Sequence, residues 1–221
     1  MSILKICWGI AVISICTSLY MINSLPDGIQ LPIHWNINGE VDKYADATIA
    51  LLFPPTVLVI ILSIFSLLAK FDPRKKNIQL SQKSIAAFSV AITLFMVTLE
   101  ISYLAMANGI EVPMMMVTGL SVGILLIIIG NYLAKTRSNF FIGIRTPWTL
   151  SSDAVWQKTH RLAGKLFMVS GFIIVLSFWF VASSNLGALI IITILPAALI
   201  EKGNELAGAN GVGSCPELTI S

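Results

Sequence analysis

Long uninterrupted apolar runs constrain this chain more than any other feature. One helix needs roughly 20 apolar residues to cross a bilayer's hydrocarbon core. Inside lipid every backbone N–H and C=O must pair within the protein, so such runs read as helices. A membrane barrel would show alternating polarity, and the sequence has none. Spans are placed at about 3–22, 48–69, 84–107, 113–133, 162–183 and 186–200. The expected fold is an all-α polytopic transmembrane bundle of about six spans. Composition agrees, with 56% hydrophobic and 11% charged residues, where a soluble domain has about a quarter charged. The first run is too long for a signal peptide and no small-x-small cleavage site follows it. The sixth is short and contains Pro196.

Charge orients the bundle. Lys70, Arg74, Lys75, Lys76 and Lys83 crowd one loop, and Lys135, Arg137, Arg145, Lys158, Arg161 and Lys165 crowd another. The 23–47 loop has only Lys43 against Asp27, Glu40, Asp42 and Asp46. The positive-inside rule puts both basic loops in the cytoplasm, the 23–47 loop outside, and both termini inside. The net charge of +3 therefore reflects topology, and direct nucleic-acid binding is not expected because the basic residues form no stripe.

Cofactor chemistry finds little support. Cys7 and Cys16 lie about 13 Å apart along one helix, too far for a disulfide, and Cys215 is in the tail. His34 and His160 fall on opposite sides of the membrane, so they cannot share a metal, and no cofactor is expected. Met114, Met115 and Met116 read as packing or lipid-facing residues.

The organisation is hairpin, loop, hairpin, loop, hairpin. A turn at Asn108–Gly109 joins the third and fourth spans, and Ser183 to Asn185 joins the fifth and sixth. Residues 1–70 read as a two-span unit, 84–200 as a four-span core, and 201–221 as a flexible Gly-rich tail. There is no internal repeat. Gly119, Gly123 and Gly130 in the fourth span suit close helix packing.

Three features exceed what anchoring needs. The outer loop, Leu31 to Tyr44, has Pro32 favouring an extended Leu31 and a turn signal at Asn38–Gly39. It reads as a short ordered hairpin or lid. Trp35 and Tyr44 could serve only as interfacial anchors, or His34, Trp35, Asn36 and Asp42 could form a recognition surface. The second feature is the loop from Asn139 to Leu150, with Phe140, Phe141, Ile142 and Ile144 too apolar for free solvent. Ser151 or Ser152 then caps a helix whose Trp156, Thr159, His160, Ala163 and Gly164 share a face. A membrane-surface amphipathic helix and a functional site both fit. Arg145 and Arg161 could bind lipid phosphates or helix C-termini. The third is Glu100, mid-span, which should face the interior and be paired. On its own helix only Tyr103 offers a polar partner, and any other must come from another span.

The residues Gly143-Ile144-Arg145-Thr146-Pro147-Trp148-Thr149-Leu150, Trp156 and Thr159 to Gly164 strongly resemble the core motif of the SdpI family of bacterial multi-pass membrane proteins. The segment with Pro32, His34-Trp35-Asn36, Gly39 and Asp42 is similar to an N-terminal domain often found with it. The resemblance implies immunity to a secreted, membrane-active toxic peptide, and signalling by holding a transcriptional repressor at the membrane. It makes His34, Trp35, Asn36 and Asp42 candidates for toxin sensing. It makes Arg145, Thr146, Pro147, Trp148, Trp156, Thr159, His160 and Arg161 candidates for the cytoplasmic functional segment. The competing reading is a small transporter or channel using Glu100. An enzyme is not expected: no nucleophile and base pair up on one side of the membrane, and Ser151, Ser152 and Asp153 are better explained as a cap than as partners of His160.

Overall fold

The computed structural model describes residues 2–36 and 39–180. The expected sixth span at 186–200, the link before it, the Gly-rich tail and Cys215 lie outside the described residues. The elements in chain order are α1 (Ser2–Ser24), β1 (Gln30–Trp35), β2 (Val41–Asp46), α2 (Ala47–Phe71), α3 (Lys75–Leu80), α4 (Gln82–Ala107), α5 (Met114–Leu133), α6 (Pro147–Ser151) and α7 (Asp153–Phe180). Among the described residues, α1, α2, α4, α5 and α7 are long and apolar enough to cross a membrane. They match the first five expected spans, so the chain is a multi-pass helical membrane bundle.

Two differences from the sequence reading have clear causes. The fifth span was expected from residue 162, yet α7 begins at Asp153. Val155 N–H donates to Ser152 Oγ at 3.4 Å and Trp156 N–H to the Ser152 carbonyl at 2.9 Å. With that cap and Asp153 in the first turn, nothing interrupts the helix before the apolar run. The helix expected from Ser151 or Ser152 onward and the fifth span are thus one element. At 28 residues α7 is about 42 Å long, against about 30 Å of hydrocarbon. The second difference is that the basic loops fold, giving the short helices α3 and α6.

The 23–47 loop contains the expected hairpin. β1 and β2 pair antiparallel, with Gln30 opposite Asp46 and Trp35 opposite Val41. The register slips twice, by one extra residue at Ile33 in β1 and one at Asp42 in β2. Asp46 caps α2, accepting the Thr48 N–H at 2.8 Å. The Thr48 hydroxyl, then its N–H, hold this exposed carboxyl below its ordinary range. Leu31 is buried with Ala47, Ala50, Leu51, Tyr103 and Met114, and Trp35 packs on their edge. The hairpin is therefore seated on the bundle at one end. The basic loops meet at the other.

Helix α4 packs against α1, α2 and α5, while α5 and α7 form the most extensive helix pair. Glycines explain that closeness. A Cβ added at Gly130 would lie 2.6 Å from the Gly164 carbonyl, and one at Gly164 would lie 2.6 Å from the Gly130 carbonyl. One heptad away, Gly123 and Gly171 face each other in the same way. Gly119 meets the Phe178 ring. Small residues let the backbones approach, which is the main route to association where lipid removes the hydrophobic drive between helices.

Gly164→Val should force α5 and α7 apart and cost about 1–3 kcal/mol or more as overpacking. Its apparent melting temperature in detergent should fall by several degrees. Gly9→Ala, where nothing lies within 4 Å, should leave it unchanged.

Candidate functional site

The candidate residues gather in three places: the hairpin, the bundle interior beneath it, and the basic end.

In the hairpin, His34 Nδ1 and Asp42 Oδ1 are 2.6 Å apart and both side chains are exposed. The extra residue at Asp42 brings its carboxylate to the imidazole. Asn36 closes the turn: its N–H donates to the Glu40 carbonyl, its Nδ2 to Glu40 Oε2 at 2.9 Å, and its Oδ1 accepts the Glu40 N–H. Trp35 is half-buried against the bundle. Of the four residues expected to face outward, His34 and Asp42 do so as a pair, while Trp35 and Asn36 hold the hairpin's seat and turn.

In the interior, Glu100 is buried at 3% exposure. Its partners are three hydroxyls of α1. Ser14 Oγ donates to Oε2, and Thr17 Oγ1 and Ser18 Oγ donate to Oε1 at 2.8 and 3.1 Å. The expected same-helix partner, Tyr103, instead packs in the apolar cluster beneath the hairpin. A buried carboxyl is tolerable only when its oxygens are hydrogen-bonded, and three donors from one neighbouring helix achieve that. Serine and threonine at positions 14, 17 and 18 share one face of α1. That spacing was the available signal for these residues.

At the basic end the loop from Lys135 to Ser152 is held almost entirely by side chains. Asn139 is fully buried and uses its whole amide. Oδ1 accepts from Phe141 N–H at 2.9 Å and Ile142 N–H at 2.7 Å, and Nδ2 donates to the Arg137 and Ile142 carbonyls. From the segment after α2, buried Asp72 accepts the N–H groups of Arg74 at 2.6 Å and Phe140 at 3.0 Å. Arg74 donates to Ser138 Oγ and to the Leu150 carbonyl at 2.8 Å, and its guanidinium lies 5.1 Å from the centre of the Phe140 ring. Asn77 of α3 donates to the Ser138 carbonyl at 2.7 Å.

The start of α7 completes the clamp. Trp156 and His160 stack with centroids 3.9 Å apart. Trp156 Nε1–H donates to the Thr136 carbonyl at 3.1 Å. His160 Nε2 accepts the Ile144 N–H at 3.0 Å, so the ring proton sits on Nδ1, which donates to the Trp156 carbonyl at 2.9 Å. Gly143, at φ +111°, passes directly over this ring, and a Cβ there would lie 2.3 Å from Nε2. Thr146 and Thr149 form a reciprocal cap on α6, with Pro147 in the first turn. Thr149 Oγ1 also donates to the Ile144 carbonyl at 2.9 Å.

This geometry divides the expected loop residues. Trp156, Thr159 and His160 are buried and Thr146 is a cap, so these four serve the framework. Arg145, Pro147, Trp148 and Arg161 are exposed. Arg145 donates to the Phe140 carbonyl at 2.7 Å rather than to a helix C-terminus. Sequence reasoning assigned no site role to Asp72, Asn77 or Asn139, counted Arg74 only among the orienting charges and met Gly143 only within the motif. Asn139 four residues before a glycine, ahead of an apolar run, was the readable hint. The partners 60 or more residues away left none.

A helical membrane bundle with a seated hairpin at one end and a clamped basic loop at the other defines a multi-pass protein with two built surfaces. Comparison with known proteins places it. Residues 135–200 match the SdpI/YfhL protein family, and residues 9–59 match a domain of unknown function, DUF1648. The chain is 34% identical over 171 residues to immunity protein SdpI of Bacillus subtilis (strain 168), covering 77% of this chain and 79% of that protein. It belongs to the SdpI family. No solved structure matches it.

Gly143→Ala should break the Ile144–His160 hydrogen bond and release the loop. Gly28→Ala, at φ +84° with nothing within 4 Å, carries only the backbone cost, about 1 kcal/mol. Thermal melting should show a clearly larger loss for Gly143→Ala than for Gly28→Ala.

Proposed function

We propose that this protein protects its cell against a secreted, membrane-active toxic peptide. In this reading the hairpin end faces outward and the basic end and the N-terminus face the cytoplasm, as the lysine and arginine bias favours. Residues 1–70 form the sensing unit, with the exposed His34–Asp42 pair offered to the peptide. Residues 84–200 form the core, and residues 201–221 a tail. The observation that carries the proposal is the family membership. The matched regions, 9–59 and 135–200, are also the ones that hold the hairpin and the clamped loop.

Signalling is a second, separable activity. The exposed Arg145, Pro147, Trp148 and Arg161 form the surface on which a cytoplasmic repressor would dock, with anionic lipid headgroups beside it. No catalytic step is assigned. The relative is an immunity protein, and the buried Asp72, Asn139 and His160 of the basic end are engaged in holding the loop.

The chain, expressed in a sensitive bacterium, should raise survival against the sporulation-delaying toxin or a related membrane-active peptide. With membrane levels matched, His34→Ala should lose about tenfold or more of that protection. Arg145→Ala should keep protection and weaken membrane retention of a repressor. Absence of protection by wild type against every such peptide would sink the immunity reading.

A further inference from the structure

The surroundings of Glu100 hold more oxygen than packing of one carboxyl requires. Helix α2 contains Pro54 and Pro55, both fully buried. Proline has no N–H, so the Leu51 carbonyl loses the helical donor it would take from residue 55. That orphaned carbonyl is turned toward α1, where Ser18 Oγ lies 2.9 Å away. The same Ser18 oxygen is within hydrogen-bonding distance of Glu100. Thr17 repeats the pattern, with its hydroxyl shared between the Ser14 carbonyl at 2.9 Å and Glu100. Each hydroxyl has one proton and two acceptors for it.

We propose that Glu100, Ser14, Thr17 and Ser18 form a binding site for a dehydrated monovalent cation of the sodium class. The two alternative acceptors are what make it work. When the ion enters, the Ser18 O–H rotates to donate to the Leu51 carbonyl and the Thr17 O–H to donate to the Ser14 carbonyl. The lone pairs of Thr17 and Ser18 and both carboxylate oxygens then turn to the ion, with Ser14 Oγ beside them. The donor set is all oxygen, which suits hard cations and not soft metals. A single carboxylate balances one positive charge, and a divalent ion would leave an uncompensated charge in a dry interior.

The site's depth fits a ligand entering from the hairpin end. Ser18 lies six residues before the end of α1, Glu100 seven before the end of α4, and Leu51 four after the start of α2. Those spacings put the cluster about 6–10 Å below that end. The apolar cluster of Leu31, Ala50, Leu51 and Tyr103 lies at this same end, between the hairpin and the bundle. The proposal does not rest on the immunity reading.

The test uses the purified full chain in detergent, titrated with sodium chloride against choline chloride at constant ionic strength. Wild type should melt at a temperature that rises saturably with sodium, and should bind radioactive sodium in equilibrium dialysis. Ser18→Ala and Glu100→Gln should weaken sodium binding about tenfold or more. Ser121→Ala, whose hydroxyl bonds within its own helix, should bind as wild type does. If Glu100→Gln does not fold, Thr17→Val decides, because it keeps the shape and removes one ligand. Wild type that cannot tell sodium from choline overturns the proposal, as does undiminished binding in Glu100→Gln or Thr17→Val.

Discussion

Inside a bilayer an unpaired N–H or C=O costs several kcal/mol, and the polar side chains of this bundle sit where that cost would otherwise fall. Among the described residues no buried side-chain nitrogen or oxygen lacks a partner. The Ser18 hydroxyl lies between the Leu51 carbonyl freed by Pro55 and the Glu100 carboxyl, which Ser14 and Thr17 also reach. At the basic end an irregular stretch of backbone reaches the same condition through Asp72, Arg74, Asn77, Asn139 and His160. Irregular chain can be buried here because the amides of Arg137, Phe140, Phe141, Ile142, Ile144 and Thr146 each meet a side chain placed to receive them.

That requirement also ties the two ends together. β2 runs directly into α2, and α2 ends at Phe71, next to Asp72 and the Arg74 clamp. One helix is therefore continuous with the hairpin at one end and with the anchor of the loop at the other. Near its hairpin end it passes the hydroxyl and carboxyl cluster through Leu51. Any ligand that favours one seating of the hairpin shifts the loop only through differential contacts along this path, and α2 is the element that touches every part of it.

The α5–α7 pair plays the complementary role. Its glycines bring two backbones into contact at two points one heptad apart, which fixes where the first turns of α7 emerge. Trp156 and His160 can then reach back over Thr136 and Ile144. The close glycine seam in the bundle thus sets the position of the stacked pair outside it, and Gly143 is the one residue of the loop that can pass over that pair.

The sequence by itself determined the membrane class, four of the spans to within a few residues, the existence of a fifth whose start it set nine residues late, and the hairpin. Apolar run length, Pro32 and Asn38–Gly39 are local signals, and in lipid local signals decide helices because no other backbone pairing is available. It also marked Glu100 and the His160 face as special. Only the tertiary structure decided what they touch. The partners of Glu100 lie more than 80 residues earlier in the chain, and those of Asn139 and Phe140 mix its own turn with Asp72. The division of the loop into buried framework (Trp156, Thr159, His160) and exposed surface (Arg145, Trp148, Arg161) was likewise not legible. Hydrogen bonding between distant segments is set by how helices pack, and a one-dimensional pattern carries the face of each helix but not its neighbour.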